Sequence, residues 1–307
     1  MLFAGVIMNT QSLTVVKSNK VIEASYKLTL YEQRILLACI AQIHSKDELL
    51  EACKFEISAK EIAYLSNIDN LNNIYKFLSD AADKLLTRQI ILNDPDPDNP
   101  RLKQRKLNWM SHIDYYPGDG KVILQFSKGI IPYLSELSKN FTQYKLTSVT
   151  QFRSAYTIRL YEMLMQWLLV GERKIEVDWL RKQLQVENNY PRVGALKDWV
   201  IDVAVQEINQ HSNIWVKYTQ RKAGRTITHF LFTFGEKEPK KTATAITNGT
   251  KPLIPLFTGH PEYTVDSAAV LADHERLKTK PAPKPKKILD SDKKSKITGL
   301  KRAVTHG

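Results

Sequence analysis

Three polar residues lie at the start of an apolar-periodic segment near the end of the chain. Arg192 and Lys197 flank the first residue of the segment, which runs from Ala195 to Asn209, and Asp198 follows them. At the start of a helix that enters the major groove, guanidinium and ammonium groups can donate to guanine O6 and N7, and a carboxylate can accept from cytosine N4. The pattern therefore predicts a base-reading helix. The alternative is that Arg192 and Lys197 are ordinary solvated charges, and Asp198 would repel phosphates if it turned towards the DNA backbone.

Polar residues also cluster at the tip of the hairpin predicted after that helix. The candidates for phosphate contact are Arg221, Lys222, Arg225, Thr226 and Thr228. Gly224 lies among them, and its permissive backbone allows a tight turn close to a phosphate. A hairpin tip that is charged only for solubility is the alternative.

An earlier part of the chain carries a second set of basic residues, on a predicted hairpin and along or just after a predicted helix. They are Lys103, Arg105 and Lys106 on the hairpin, and Lys76, Lys84 and Arg88 with the helix. Asp80 and Asp83 are interleaved with the helical lysines, so this helix is less suited to DNA than the later one. Residues 17–20, Lys-Ser-Asn-Lys, are a further candidate for phosphate contact.

The elements that must position these residues occur twice, about 120 residues apart. In the first copy, the helix Thr29 to Ile43 begins with the capping box Thr29 to Glu32. A short strand, Phe55 to Ile57, follows it. Ser58 then opens a second helix, and a third is predicted from Ile74 to Thr87.

The second copy repeats this order. A helix from Ala155 to Leu169 leads to a short strand, Ile175 to Val177, and Asp178 opens the next helix, which ends at Leu184. After the helix Ala195 to Asn209, the strands Ile214 to Arg221 and Arg225 to Phe234 alternate in polarity and form a hairpin.

Helical spacing predicts which side chains of the third helices face a core. They are Ile74, Phe77, Leu78, Ala81 and Leu85 in the first copy, and Leu196, Trp199, Val200, Val203, Ala204 and Ile208 in the second. In the second copy Ile201 is predicted to point outward.

In the first copy, an acidic, proline-rich loop precedes the predicted wing. The loop runs from Asp94 to Pro100, and the wing would consist of one strand from Leu102 to Tyr115, a turn at 117–120 and a strand from Lys121 to Phe126. The run Ile130 to Leu137 predicts a linking helix.

This order of elements is typical of the winged helix-turn-helix, which holds one helix for insertion into a major groove and a wing beside it. The predicted fold class is α+β, with two tandem winged helix-turn-helix domains and a disordered basic C-terminal tail. The predicted divisions are a flexible N-terminus at 1–12, a first winged-helix domain at 13–138, a second at 139–235, and a low-complexity tail at 236–307.

Composition favours a polyanionic partner. The 307 residues carry a formal net charge of +13, and the part from Glu236 onward holds fifteen Lys/Arg against eight Asp/Glu, so the basic excess is shared between folded part and tail. Cys39 and Cys53 have no CxxC or histidine companion and are predicted to be buried, reduced thiols. No stretch approaches the ~20 apolar residues of a membrane span. Residues 1–8 lack the basic segment of a signal peptide. These features predict a cytoplasmic protein, in which Met8 is an alternative start to Met1.

Catalysis finds little support in the sequence. The nearest material for a DNA-nicking site is His112-Ile113-Asp114 with Tyr115-Tyr116, on a strand pattern where these side chains are not expected to converge. The histidines are scattered and no GxxxxGK[ST] loop is present, so no metal or nucleotide cofactor is predicted.

Several short segments resemble the replication initiator (Rep) proteins of iteron-containing bacterial plasmids. At the amino end these are residues 15–20 (VVKSNK), 26–29 (YKLT) and 32–35 (EQRI); in the second copy they are 207–209 (EIN), 216–218 (VKY), 222–225 (KAGR) and 228–232 (THFLF). The resemblance covers roughly Leu13 to Phe234 and does not extend to the tail.

The resemblance implies a protein of the bacterial cytoplasm that binds directly repeated origin sequences (iterons) in double-stranded DNA, mostly as a monomer, and helps to open the origin. It also implies that the first domain serves dimerisation and auxiliary DNA contact and that the second is the principal DNA-binding domain. Homodimers that repress the protein's own promoter, and a host initiator and a replicative helicase as partners, are implied as well. Opening would be driven by binding energy and DNA deformation. The two units are predicted to engage adjacent grooves of one repeat and to make about six or more phosphate contacts. The protein is predicted not to be an enzyme.

Three rivals stay open at this stage. A winged-helix transcriptional repressor would bind inverted half-sites as a stable dimer and have no part in replication. A nicking endonuclease would relax supercoiled origin DNA in the presence of Mg²⁺ or Mn²⁺. A self-associating structural protein would assemble through exposed strand edges.

Overall fold

The computed structural model describes residues 13–43, 46–66, 73–96 and 98–238. The predicted flexible N-terminus at 1–12 and the tail from residue 239 onward lie outside the described residues. Among the helices in these ranges, none has the length and apolar character needed to cross a membrane.

The helices of the first unit follow the predicted order. Helix α2 (Leu30–Ile40) begins at Thr29, whose side chain accepts from the Glu32 amide while the Glu32 carboxylate accepts from the Thr29 amide. Strand β2 (Phe55–Ser58) leads into α3 (Ala59–Leu65), which has the same capping box between Ser58 and Glu61. Helix α4 (Ile74–Thr87) completes the motif. The starts of α2 and α3 are confirmed because a capping box satisfies backbone donors locally.

The sheet of the first unit contains β2, β5 (Met110–Tyr116) and β6 (Lys121–Phe126), in the order β2–β6–β5 with antiparallel pairing. A 3₁₀ turn at Pro117–Asp119 joins β5 to β6 and ends at Gly120, which has φ 63°. The wing of this unit is therefore the β5–β6 hairpin.

The predicted single strand from Leu102 to Tyr115 is wrong. It is two strands, β4 (Gln104–Asn108) and β5, separated by Trp109, whose side chain is fully buried. Strand β4 pairs with β3 (Gln89–Asn93) as a separate two-stranded hairpin inserted between α4 and the wing. An alternation pattern cannot reveal this change of partner, because both strands carry their own alternating side chains.

The predicted linking helix at Ile130 to Leu137 is also wrong. Only a 3₁₀ turn forms, at Ile131–Tyr133, because Pro132 removes a backbone donor and Glu136 has φ 52°. The chain continues into β7 (Phe141–Lys145), which pairs antiparallel with β1 (Thr14–Ser18). A short helix, α1 (Asn19–Ile22), follows β1.

The second unit repeats the first. Helix α5 (Ala155–Met165), strand β8 (Glu172–Glu176) and helix α6 (Val177–Leu184) precede a longer helical run, and β9 (Ile214–Ala223) and β10 (Thr226–Glu236) close the unit in the sheet order β8–β10–β9. Helix α6 begins one residue before the predicted opening residue: Glu176 is its N-cap, and Asp178 lies in its first turn.

A buried ion cluster lies where β1 meets α5. Lys17 Nζ is 2.5 Å from Glu162 Oε1, Tyr144 donates to the same oxygen, and Arg159 donates to the Tyr26 hydroxyl. Burial alone would raise the pKa of Glu162, but Lys17 and Arg159 outweigh it and hold that pKa below its ordinary value.

Lys17 is only 2% exposed, so its predicted phosphate contact is wrong. The predicted domain boundary between residues 138 and 139 stays a prediction. The pairing of β7 with β1 joins residues on its two sides.

Candidate nucleic-acid interface

The third helix of the second unit is one helical run with a wide turn inside it. It consists of α7 (Val193–Leu196), a π turn (Lys197–Ile201) and α8 (Asp202–His211). We call this run the 193–211 helix. In a winged helix-turn-helix, the corresponding helix enters the major groove.

Two side chains of the 193–211 helix differ from the predicted core pattern. Leu196, Val200 and Ala204 are buried as predicted, and Ile201 is buried too, although an outward position was expected. Trp199, predicted to be buried, is 69% exposed. A π turn has i→i+5 hydrogen bonds and accommodates one extra residue. Both differences from the prediction lie within this π turn, at Trp199 and Ile201.

Arg192 is exposed and occupies the N-cap of α7. Within the first turn of that helix, Gly194 has open space above it, since a Cβ placed there would meet nothing within 4 Å. The start of the 193–211 helix is thus open to solvent, and Arg192 lies at its edge as the sequence predicted.

Lys197 is engaged within the protein. Its Nζ lies 2.7 Å from Asp202 Oδ2 and 3.5 Å from Asp198 Oδ1. The hydrogen bond to Asp202 raises the Lys197 pKa above its ordinary value. Tyr218 of β9 donates to the other Asp202 oxygen, and its pKa rises to about 12, first through partial burial and then through that bond. The predicted base contact of Lys197 therefore requires this pair to rearrange, and both it and the Asp198 contact stay predictions.

Other side chains fix the 193–211 helix to its surroundings. The Glu207 carboxylate accepts from the amides of Arg153 and Ser154 at the start of α5. The Asn209 side chain bonds both the amide and the carbonyl of Val216 at 2.8 Å. Lys237 donates to the Asn209 carbonyl at 2.6 Å near the end of α8. These contacts hold α8 in a fixed orientation relative to the start of α5 and to β9.

The wing of the second unit brings its basic residues together. Arg221, Lys222 and Arg225 are exposed around the β9–β10 turn, where Gly224 has φ 61° as its tight turn requires. Thr226 is exposed beside them, whereas Thr228 donates to the Arg221 carbonyl at 3.3 Å. The location of these five residues at a wing is as predicted. Their contact with phosphate stays a prediction.

The first unit is less basic at its wing than expected. Because the wing is β5–β6, the residues at its turn are Asp119 and Lys121, and Lys121 pairs with Asp119 at 3.8 Å and with Glu56 at 3.0 Å. The basic wing predicted here is wrong in location, since Lys103, Arg105 and Lys106 belong to the inserted β3–β4 hairpin.

The six basic candidates of the first unit have different surroundings. Lys76, Lys84 and Lys106 are exposed, and Lys103 lies 3.7 Å from Asp94. Arg105 donates to the Tyr133 hydroxyl at 3.0 Å. Arg88 makes two hydrogen bonds, at 2.9 and 3.0 Å, to the buried Glu32 carboxylate, which indicates a structural role.

Helix α4 also differs from its predicted pattern at one position. Phe77, predicted to face the core, is 46% exposed and stacks on Tyr31 of α2, with ring centroids 5.7 Å apart. A contact between two helix surfaces leaves one face of each ring in water, and spacing alone cannot separate this case from full burial.

Two of the candidate nicking residues lie closer together than expected. His112 and Asp114 are two residues apart on β5 and share a face, with His112 Nε2 4.0 Å from Asp114 Oδ2. Lys54 also pairs with Asp114, at 3.1 Å. Across the described ranges, no three His, Cys, Asp or Glu side chains are arranged to hold a metal ion. Of the two thiols, Cys39 is buried as predicted, whereas Cys53 is partly exposed.

Two family models match the chain. One, described as Initiator Replication protein, WH1, matches residues 14–165, and the other, described as Initiator Rep protein, WH2, matches residues 176–234. Both matches end before the tail.

Similar proteins and a similar structure carry related descriptions. A "Replication initiation protein" of Escherichia coli is 29% identical over 228 residues, covering 72% of this chain and 69% of that protein. A "PI protein" of Escherichia coli is 29% identical over 237 residues, covering 68% and 78%. The crystal structure of the Pi initiator protein in complex with iteron DNA superposes with a TM-score of 0.63 and 25% identity, covering 76% of this chain and 100% of that one.

Proposed function

This chain belongs to the family of initiator replication proteins with WH1 and WH2 domains, and we propose that it initiates plasmid DNA replication by binding iterons in double-stranded DNA. The protein would act at the plasmid origin in the bacterial cytoplasm. The observation that carries the proposal is the pairing, in the second unit, of an accessible helix start at Arg192 with the basic wing of Arg221, Lys222 and Arg225. The similar Pi initiator, whose structure contains iteron DNA, supports the same conclusion.

We infer different roles for the two units from their different surface charges. In the second unit, the 193–211 helix would read base edges while the wing contacts the adjacent backbone. The first unit would add backbone contacts through Lys76, Lys84 and Lys106. Its own wing turn pairs a lysine with two carboxylates, which favours an auxiliary role for this unit and leaves it available for self-association.

The finer parts of the proposal concern assembly and opening. The protein would fill directly repeated sites as a monomer and help to open the origin through binding energy and DNA deformation, without being an enzyme. Homodimers would repress its own promoter and limit plasmid copy number. The host initiator and the replicative helicase would be its protein partners.

The test is a gel shift and a nuclease footprint with the full chain on the DNA upstream of its own gene, with random duplex as competitor. A ladder of protected direct repeats that survives competitor is the expected result. Affinity should fall steeply between about 50 and 200 mM salt, as about six or more phosphate contacts require.

Three other outcomes would contradict the proposal. A single palindromic footprint would identify a repressor that binds inverted half-sites. Uniform, salt-sensitive retardation without protected sites would show that the basic charge binds DNA without sequence preference. Open circles formed from supercoiled origin plasmid with Mg²⁺ or Mn²⁺ would identify a nicking enzyme.

A further inference from the structure

The most exposed of the five tryptophans lies on the helix that the fold presents to DNA. Trp199 is 69% exposed, whereas Trp109 and Trp167 are buried and Trp215 is 37% exposed. A single exposed apolar residue needs no explanation on an ordinary surface. Trp199 is different because it lies within the π turn of the 193–211 helix, on the surface that the proposed function turns towards DNA.

Trp199 lies on the exposed side of the 193–211 helix, within the π turn at Lys197–Ile201. The core side of this helix is formed by Leu196, Val200, Ile201 and Ala204, all of which are buried. Single π turns inside α-helices are frequent at functional sites. An indole that stays in water leaves a large apolar surface unburied, which folding alone would not favour.

The surroundings of Trp199 indicate what it contacts. The exposed residues near it on the same helix are Arg192, Gly194 and Asp198, and a Cβ added to Gly194 would meet no atom within 4 Å. This surface is open, and its polar groups are ones that can bond base edges. An apolar side chain among them can contact the group that is itself apolar in the major groove, the 5-methyl of thymine.

We propose that Trp199 is a specificity-determining residue that packs against the 5-methyl group of a thymine in the bound repeat. The inference rests on the proposed function, because it requires a repeat that the 193–211 helix reads. It assigns this helix one apolar contact beside the polar contact expected of Arg192. Replacing that thymine by any base without a methyl in the same place removes the contact without changing the duplex charge.

The experiment compares the full-length wild-type protein with Trp199→Ala on two probes. The first probe is a duplex of one repeat protected by the wild-type protein; in the second, thymines are replaced one at a time by uracil, which lacks only the methyl. Binding is measured by fluorescence anisotropy. We expect the substitution to weaken binding to the thymine duplex by about tenfold, and one uracil position to weaken the wild type by a similar factor while leaving the variant unaffected.

Two further variants separate contact from folding. Trp199→Phe keeps an apolar ring and should retain most of the sensitivity to uracil. Trp215→Ala removes an indole from β9, away from the helix start, and should bind both duplexes in the wild-type ratio. The thermal unfolding midpoint of each variant shows that it folds.

The outcomes distinguish this inference from the proposed function. If the wild type protects repeats and Trp199→Ala shows the same loss with uracil as the wild type, the thymine contact is refuted and the initiator function stands. If Trp199→Ala binds the thymine duplex as tightly as the wild type, the residue serves another surface and the inference also fails. A wild-type protein that protects no repeat removes both.

Discussion

Lys197 Nζ lies 2.7 Å from Asp202 Oδ2, and Tyr218 of the wing strand donates to the other oxygen of the same carboxylate. The contact joins the 193–211 helix to the wing and pairs a basic residue of the surface that we propose faces DNA. It also offsets the negative charge of the Asp202 carboxylate, which would otherwise repel phosphates there. We therefore expect the pair to limit how much of the local positive charge is available for non-specific binding.

Asp202→Asn should release Lys197 and strengthen binding to random duplex. One more free ammonium near the backbone adds about one phosphate contact, so the slope of log K against log salt should become steeper by about 1. Gel shifts over a salt series measure the slope. Asp114→Asn, which frees the partly exposed Lys54 in the first unit, is the matched control. An unchanged slope in Asp202→Asn would show that Lys197 does not reach phosphate.

Arg192→Ala should weaken binding to the cognate repeat by about 1 to 3 kcal/mol and relax sequence preference, as loss of one bidentate base contact would. The reason is that its guanidinium lies exposed at the N-cap of α7, at the start of the helix that we propose reads the major groove. Competition between cognate and random duplex measures the preference. Arg192→Lys keeps the charge but not the fork of donors, so it should restore affinity for random DNA without restoring preference. Equal losses on cognate and random DNA would contradict base reading.

The triple variant Arg221→Ala, Lys222→Ala and Arg225→Ala should reduce the salt slope by about 2 to 3 while leaving the order of preferred sequences unchanged. Phosphate contacts position a protein without reading bases, which separates this variant from Arg192→Ala. The comparison variant is Lys103→Ala with Lys106→Ala on the inserted β3–β4 hairpin, which should change the slope less. A larger change from the hairpin would assign the main backbone contacts to the first unit.

The sequence predicted the repeated motif well because its signals are local. The capping boxes at Thr29 and Ser58 and the alternating strands β9 and β10 determine where elements begin without help from distant residues. Three features were inaccessible for physical reasons. The π turn at Lys197–Ile201 has no signature in the helical spacing, the partner of β4 is chosen in three dimensions, and the burial of Lys17 depends on Glu162, 145 residues away.

The same limits apply to the candidate site. Residue type and spacing located Arg192 and the basic wing tip, both of which the structure places on the accessible surface of the second unit. Spacing could not show that Lys197 and Arg88 have carboxylate partners, since Asp202 is brought to Lys197 through the π turn and Glu32 to Arg88 by packing of α2 on α4.

Arg88→Ala should destabilise the first unit by about 2 kcal/mol, because the buried Glu32 carboxylate loses two charged hydrogen bonds while Arg88 itself is partly exposed. Urea unfolding measures the change. Lys84→Ala, one turn earlier on the exposed face of α4, is the control and should leave stability within about 0.5 kcal/mol. If Arg88→Ala left stability unchanged but reduced the salt slope by about 1, the arginine would be a phosphate contact after all.

Glu162→Gln should lower the free energy of unfolding by about 3 to 5 kcal/mol at neutral pH, because it leaves Lys17 and Arg159 as buried charges without their carboxylate. Since the Glu162 pKa is lowered in the folded protein from its ordinary value of 4.5, its contribution is complete above that value and is lost as pH falls through the lower, folded-state pKa. The difference between wild type and variant should therefore shrink as the pH falls below about 4.5. Glu187→Gln, at an exposed position, is the control and should leave stability within about 0.5 kcal/mol at neutral pH. Urea unfolding at a series of pH values measures both, and a difference that grows toward acid pH would mean that Glu162 is protonated in the folded protein and that Lys17 and Arg159 are balanced by other groups.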